Sequence, residues 1–180
     1  MSIVQAYITE NFIVVGSDKR AMTTDNQIMS ENFKKIFRVN KNIIIGMTGS
    51  IPGNHVLFSE FVNVDLSLKN KNYDEITYQN IKDKITKSYY DNNDYLKKES
   101  VHSLVCGWDG NKFLATTYFT NDKNTKLNRP IEVYPDDIDN VKVISCGEQQ
   151  HYLDVFKIKD KTSCENILQF KNLFKNILHM

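Results

Sequence analysis

The sequence is poor in cysteine, with three in 180 residues and no CxxC spacing among them. They are Cys106, Cys146 and Cys164. An odd number without paired spacing argues against a disulfide scaffold and a zinc site, and it predicts a reducing compartment. The four histidines show no ligand spacing either, so we expect no metal and no other cofactor.

Net charge and long apolar runs are also lacking. Lysine and arginine total 23 against 22 aspartates and glutamates, which leaves a formal charge of +1. This balance argues against a nucleic-acid partner and against an anionic membrane surface. No segment reaches the roughly 18–20 apolar residues that span a bilayer, and the N-terminus has no signal-peptide pattern. We therefore expect a cytoplasmic chain with a single domain over residues 1–180.

Short runs rich in β-forming residues predict the strands. The predicted strands are residues 2–8, 12–16, 35–39, 42–47, 101–108, 113–119 and 141–145. Polar residues separate the members of each pair, and Asp109-Gly110 between two apolar runs is typical of a tight hairpin. The polar segment 23–27 is predicted to be a loop.

Helical spacing of apolar residues alternates with these strand blocks. The first predicted helix begins near residue 54, with Pro52-Gly53 as its start signal. The other predicted helices span about 74–90, 149–158 and 162–178. Leu57, Phe58, Phe61 and Val62 lie on one face of the first helix, and core packing is the plainer interpretation of that face. Strand blocks followed by helix blocks favour an α+β domain with antiparallel sheets over alternating parallel units.

Four short segments occur in an order that points to a family. They are the opening Ser2-Ile3-Val4, the segment 16–21 (GSDKRA), Ser30 followed by 34–36 (KKI), and 45–50 (IGMTGS). In the second half, 106–109 (CGWD) and 145–147 (SCG) follow in the matching order. Each segment alone has a plainer interpretation as a polar turn, a solvated lysine pair or a glycine turn.

Taken together, over about residues 2–155, these segments resemble the proteasome β-subunit and the heat-shock-locus V peptidase, which are N-terminal-nucleophile hydrolases. The resemblance implies a four-layer αββα sandwich of two stacked antiparallel sheets between helical layers. Members of the family continue with two further strands after the last helix predicted here. We expect this chain to lack those strands or to replace them.

The resemblance also assigns catalytic roles. It implies that Ser2 is the nucleophile after Met1 is removed, and that the freed α-amino group is the base. Lys35 would stand beside Ser2, Asp18 would hold Lys35, and the Gly49 amide would donate to the oxyanion. Cys146 occupies the position of a hydroxyl that supports the amine in the family. A thiol is a weaker partner, and a buried structural cysteine is its plainer interpretation.

Substrate, assembly and activity follow from the same resemblance. Ala21, Phe33, Met47 and Ile51 would line the pocket for the side chain before the scissile bond, and all four are apolar. We expect a peptide or small amide substrate, a homo-oligomer, and an ATPase as a candidate partner. Two functions stay open: a peptidase that uses Ser2, and a non-catalytic subunit that retains Met1 and binds or assembles with partners.

Overall fold

The computed structural model describes residues 2–62, 75–120, 131–133 and 142–147. Ten strands and three helices lie in these parts of the chain. The strands are β1 Ile3–Ile8, β2 Ile13–Ser17, β3 Ala21–Met22, β4 Ile28–Ser30, β5 Ile36–Arg38, β6 Ile43–Gly49, β7 Val101–Trp108, β8 Phe113–Phe119, β9 Ile131–Val133 and β10 Lys142–Gly147. The helices are α1 Ile51–Val62, α2 Tyr78–Asp91 and α3 Asn93–Leu96.

The strands form three sheets. A three-stranded sheet has the order β10-β1-β2, and a five-stranded sheet has the order β5-β6-β7-β8-β9. The short strands β3 and β4 form a two-stranded hairpin. Every pairing in the described part of the chain is antiparallel. The predicted α+β class is therefore confirmed.

The two larger sheets pack face to face through an apolar layer. Alternate residues of each strand point into this layer, as the pleat requires. The buried residues of the layer are Val4, Ala6, Ile8, Leu104, Cys106, Ala115, Ile144 and Cys146. The sheets approach closely at Gly46, where an added Cβ would lie 2.5 Å from Cγ1 of Val4. The absence of a side chain at Gly46 thus allows β1 to lie against β6.

Helices α1 and α2 cover the other face of the five-stranded sheet. Their buried side chains form a second apolar cluster with the odd-numbered residues of β6 and β7. Leu57, Phe58 and Phe61 are almost fully buried there, so the predicted helix face packs in the core. Burying such side chains stabilises the fold by roughly 1.5–3 kcal/mol each.

Both long helices begin at residues other than those predicted. Helix α1 begins at Ile51 rather than near residue 54, because the Ser50 hydroxyl accepts the Gly53 amide at 3.1 Å and caps the first turn. Pro52 fits there because amides in a first turn have no helical partner. Helix α2 begins at Tyr78 rather than near residue 74, because Thr77 caps its first turn with a capping box.

Some predictions gain detail and others lie outside the described residues. Residues 23–27 form the predicted loop, but the strands β3 and β4 on either side of it were not predicted. The helices predicted at 149–158 and 162–178, the second helical layer and the family's last strands concern residues that the structure does not describe. Over the described ranges, no helix has both the length and the apolar content needed to cross a bilayer.

Candidate active site

The carboxylate of Asp18 links the start of β1 to the turn that follows β2. Its Oδ1 accepts the Ile3 amide at 2.8 Å, and its Oδ2 accepts the Arg20 amide at 3.1 Å. The side chain comes to this position because β1 and β2 pair antiparallel, with Val4 opposite Ser17. Asp18 therefore lies beside the backbone that connects residue 2 to residue 3.

Lys35 provides the positive charge of this cluster. Its Nζ donates to Asp18 Oδ2 at 2.7 Å and to the Arg20 carbonyl at 2.5 Å. The lysine side chain is 3% exposed and the aspartate side chain 28% exposed. A buried ammonium is unfavourable unless it is paired and hydrogen bonded, and these two acceptors supply that compensation. The predicted ion pair between Lys35 and Asp18 is present.

Backbone hydrogen bonds join the segments around Lys35. The Met47 amide donates to the Lys35 carbonyl at 2.8 Å, and the Phe33 amide donates to the Lys19 carbonyl at 2.7 Å. Phe33 and Met47 are therefore tied to the segments that carry the ion pair. Of the other two predicted pocket residues, Ala21 is buried in β3, whereas Ile51 is 43% exposed at the start of α1.

The turn at Gly49 ends β6, two residues after Met47, whose amide donates to the Lys35 carbonyl. Gly49 has φ of +78°, which favours glycine, and an added Cβ would lie 2.0 Å from the Ser100 carbonyl oxygen. The next amide, that of Ser50, donates to the same Ser100 carbonyl at 2.6 Å. The turn therefore requires glycine both for its backbone angle and for its contact with Ser100.

Cys146 is completely buried in the layer between the sheets. Burial raises the pKa of its thiol to about 12, although hydrogen bonds with the Thr48 side chain and the Val4 backbone act in the opposite direction. The thiol is therefore neutral near pH 7 and is a poor nucleophile there. Its hydrogen bonds are those of a structural cysteine.

The structure adds two groups that the sequence did not indicate. The first is the Arg20 carbonyl, which cannot be recognised from a side chain because any residue could supply it. The second is His102, whose register opposite Thr48 places it on the same face of β7 as Leu104, in the layer between the sheets. Because His102 lies two residues before Leu104 in the same strand, the alternation of side chains could have predicted that it faces this layer.

The His102 ring contacts neutral groups on three sides. It lies edge-on to the Phe119 ring at 5.5 Å, and its Nε2 is 3.5 Å from the Ser100 hydroxyl oxygen. Burial lowers the pKa of the imidazole, and a hydrogen bond to the Gly147 backbone partly opposes that effect. Gly147 is itself close to residue 2, because an added Cβ there would lie 2.0 Å from the Ser2 carbonyl oxygen.

The cluster has the charges and donors of acyl-transfer chemistry. The carboxylate that holds the buried ammonium also binds the Ile3 amide at the start of β1, and the Gly49 turn ends the strand that bonds to Lys35. Within the described ranges, no three His, Cys, Asp or Glu residues are grouped so that they could hold a metal ion.

A comparison with known protein families gives a match over most of the chain. The family model described as proteasome subunit matches residues 2–120, which is 119 of the 180 residues. The matched segment contains β1 to β8 and all three described helices, and hence Asp18, Lys35, Gly49 and His102. Strand β10 and Cys146 lie beyond it. A comparison with curated proteins found no match.

Proposed function

The chain belongs to the proteasome subunit family, and on that basis we propose that it is an N-terminal-nucleophile amide-bond hydrolase. In this proposal a single domain over residues 1–180 uses Ser2 as the nucleophile once Met1 has been removed. The observation that carries the proposal is the position of the buried Lys35 ammonium. One carboxylate, that of Asp18, binds both this ammonium and the Ile3 amide next to Ser2.

The chemistry follows from placing a free amine at residue 2. An α-amino group has an unperturbed pKa of about 7.7–8.0, so a large fraction can accept a proton near neutrality. The like charge of Lys35 disfavours the ammonium form of that amine. The Ser2 hydroxyl would attack the carbonyl of the scissile amide and pass its proton to the amine. An ester forms, the amine product leaves with a proton, and water then hydrolyses the ester.

The same position makes Lys35 useful in the transition state. Its ammonium is already desolvated and held by Asp18, so it needs little reorganisation when negative charge develops on the Ser2 oxygen. The Gly49 amide is the proposed donor to the oxyanion. Removing such a donor raises the barrier by about 2.7–4 kcal/mol in other hydrolases. We assign Cys146 a minor role, since its thiol is neutral and hydrogen bonded to the Thr48 side chain.

The proposed specificity is for apolar side chains before the scissile bond. Ala21, Phe33, Met47 and Ile51 are apolar, and no charge among them would compensate a buried lysine, arginine or aspartate of the substrate. Cleavage profiling of a peptide library should therefore favour apolar residues at that position. A strong preference for a charged residue would contradict this pocket assignment.

Assembly and location are proposed from the family and from the thiols. Proteasome subunits assemble into oligomers, and we propose a homo-oligomer for this chain, with an ATPase as a further partner. Cys106 and Cys146 are free and buried. Unpaired thiols are usual in reducing compartments, which supports a cytoplasmic location.

The test uses protein whose first residue is Ser2, prepared by cleaving a removable leader. Peptide hydrolysis is measured for this parent and for Ser2→Ala and Lys35→Ala, which should each reduce kcat by roughly 10³-fold or more. Lys34→Ala is the matched control, because Lys34 is the adjacent lysine in the chain but is exposed to solvent. It should retain the parent activity.

Two outcomes would contradict the hydrolase. One is equal background hydrolysis in the parent and in both site variants, which would favour the non-catalytic subunit. The other is retention of Met1 in protein isolated from the native host, measured by intact mass and N-terminal sequencing. A retained Met1 would convert the proposed base into a peptide nitrogen.

A further inference from the structure

The Gly49 turn is held from the helical side by a single amide side chain. Nδ2 of Asn54 donates to the Thr48 carbonyl at 2.7 Å and to the Ser50 carbonyl at 2.8 Å. Asn54 lies in the first turns of α1 and is 5% exposed. The reversed amide orientation would place Oδ1 against two carbonyl oxygens, so this assignment of nitrogen and oxygen is the one that the contacts require.

The bond to Thr48 helps to hold the direction of the Gly49 amide, together with the pairing of Thr48 and His102 in the β6–β7 ladder. The Thr48 carbonyl and the Gly49 N–H belong to one planar trans peptide unit, in which the two groups point in opposite directions. Holding the carbonyl with Asn54 therefore directs the N–H to the opposite side. A rotation of this peptide unit would break the bond to Asn54.

The hydrogen-bond ladder shows which side that is. The Ser50 amide, just after β6, donates to the Ser100 carbonyl, just before β7, so even-numbered positions of β6 face β7. Met47 donates to Lys35, so odd-numbered residues bond towards β5. Gly49 is also odd-numbered and lies two residues after Met47. Its N–H therefore faces the β5 side of β6, which is the side on which Lys35 lies. Strand β5 begins only at Ile36, so the ladder ends before it reaches Gly49.

We propose that Asn54 is a positioning residue of the active site, which aims the Gly49 amide at the developing oxyanion by holding the Thr48 carbonyl. This inference rests on the proposed hydrolase function. Asn54 itself does not touch the reacting atoms. Its buried Oδ1 has no hydrogen-bond partner among the described residues. The contacts that Asn54 makes are thus concentrated on the two carbonyls that flank Gly49.

The first test compares Asn54→Asp with the parent, both with Ser2 at the N-terminus. Aspartate has nearly the same shape but no N–H donor, and its charge repels the two carbonyls. We expect kcat to fall by about 10-fold to 100-fold, somewhat less than the loss caused by deleting an oxyanion donor. KM should stay within about 2-fold, since ground-state binding does not use this amide.

The control and the second variant separate positioning from folding. Asn92→Asp removes a similar bond, from Nδ2 to the Ser88 carbonyl at 2.8 Å, at the end of α2, and it should leave kcat unchanged. In Asn54→Ser, the serine hydroxyl can still donate to the Ser50 carbonyl, four residues earlier in the chain. It is too short to reach the Thr48 carbonyl. Asn54→Ser should therefore fold normally and still lose kcat.

A spectroscopic readout keeps this inference distinct from the proposed function. The ¹H and ¹⁵N shifts of the Gly49 amide should change in Asn54→Asp and Asn54→Ser and should match the parent in Asn92→Asp. A parent without hydrolytic activity would refute the proposed function, while these shifts would still test the positioning. Full kcat in Asn54→Ser, or an unchanged Gly49 amide in both Asn54 variants, would overturn the role of Asn54.

Discussion

At the scale of single residues, the site is organised around one buried charge. Lys35 would be an isolated ammonium in the interior without Asp18 and the Arg20 carbonyl. The same carboxylate also accepts the Ile3 amide, so the charge that stabilises the lysine is fixed relative to the start of β1. The adjacent Lys34 is exposed and lies over the Phe37 ring at 5.0 Å. Neighbouring lysines in the sequence therefore have entirely different environments.

His102 predicts a pH dependence of stability at this scale. Burial lowers its folded-state pKa below the ordinary value of 6.5, so the unfolded chain binds more protons in that window. Its contribution to stability is therefore retained above about pH 6.5 and is lost as the pH falls towards the folded-state pKa. The neighbouring Phe119, Ser100 and Gly147 carry no charge that would reverse this sign.

Urea unfolding at several pH values between about 5 and 7.5, at fixed chain concentration, measures this effect. His102→Gln should lose less stability than the parent as the pH falls. His55→Gln is the control, because His55 is exposed on α1, and it should follow the parent. The same pH slope in His102→Gln and the parent would show that His102 does not titrate in this way.

At the scale of elements, tight contacts fix the end of β6 and hold α2 against the five-stranded sheet. The Gly49 turn meets the Ser100 backbone, and Tyr78 of α2 reaches across to β7 and β8. These contacts are made by the backbone or by buried hydroxyls. Because such groups have few alternative positions, small changes at these points should have measurable effects.

Gly49→Ala tests the end of β6. The new Cβ would meet the Ser100 carbonyl oxygen at 2.0 Å, and the residue would also have to adopt φ near +78°. Gly110→Ala is the control, since Gly110 has φ of +108° but nothing lies within 4 Å of an added Cβ. The control should cost about 1–2 kcal/mol for backbone conformation. Gly49→Ala should cost about 1–3 kcal/mol more in chemical denaturation, and equal costs would contradict the clash.

Tyr78→Phe tests the attachment of α2 to the sheet. The Tyr78 hydroxyl lies 2.9 Å from the Val105 carbonyl oxygen and 2.9 Å from the Thr116 hydroxyl oxygen, in a buried site. Removing it should lower the free energy of unfolding by about 1–3 kcal/mol, because the partners stay buried without it. Tyr90→Phe, at a 65% exposed tyrosine, should change it by less than about 0.5 kcal/mol. Similar values for both would mean that the hydroxyl contributes nothing.

At the scale of the whole molecule, the two sheets and their helical cover form the part of the domain that carries the site. We predict that the whole molecule forms a homo-oligomer, since proteasome subunits assemble into oligomers. Light scattering at micromolar concentration should return a multiple of the chain mass of 20.9 kDa. A mass of one chain over the whole concentration range would refute the homo-oligomer.

Local patterns in the sequence were enough to predict the class of the fold and most of its strands. Alternating apolar residues and the Asp109-Gly110 turn predict antiparallel strands, because the period of two and the hairpin turn are local properties. The order of short motifs was sufficient for the family. The start of α1 was misplaced because its cap depends on the Ser50 hydroxyl, a local signal that also fits an ordinary turn.

The groups that meet at the site depend on contacts between residues far apart in the chain. The pairing of Lys35 with Asp18 was predicted from a resemblance, but the Arg20 carbonyl and the Asn54 amide were not predicted at all. Backbone carbonyls carry no sequence signature, and their direction depends on which strands pair and in which register. His102 likewise is an ordinary strand residue until the second sheet brings Gly147 against it. Long-range packing therefore fixed the chemistry that local patterns left open.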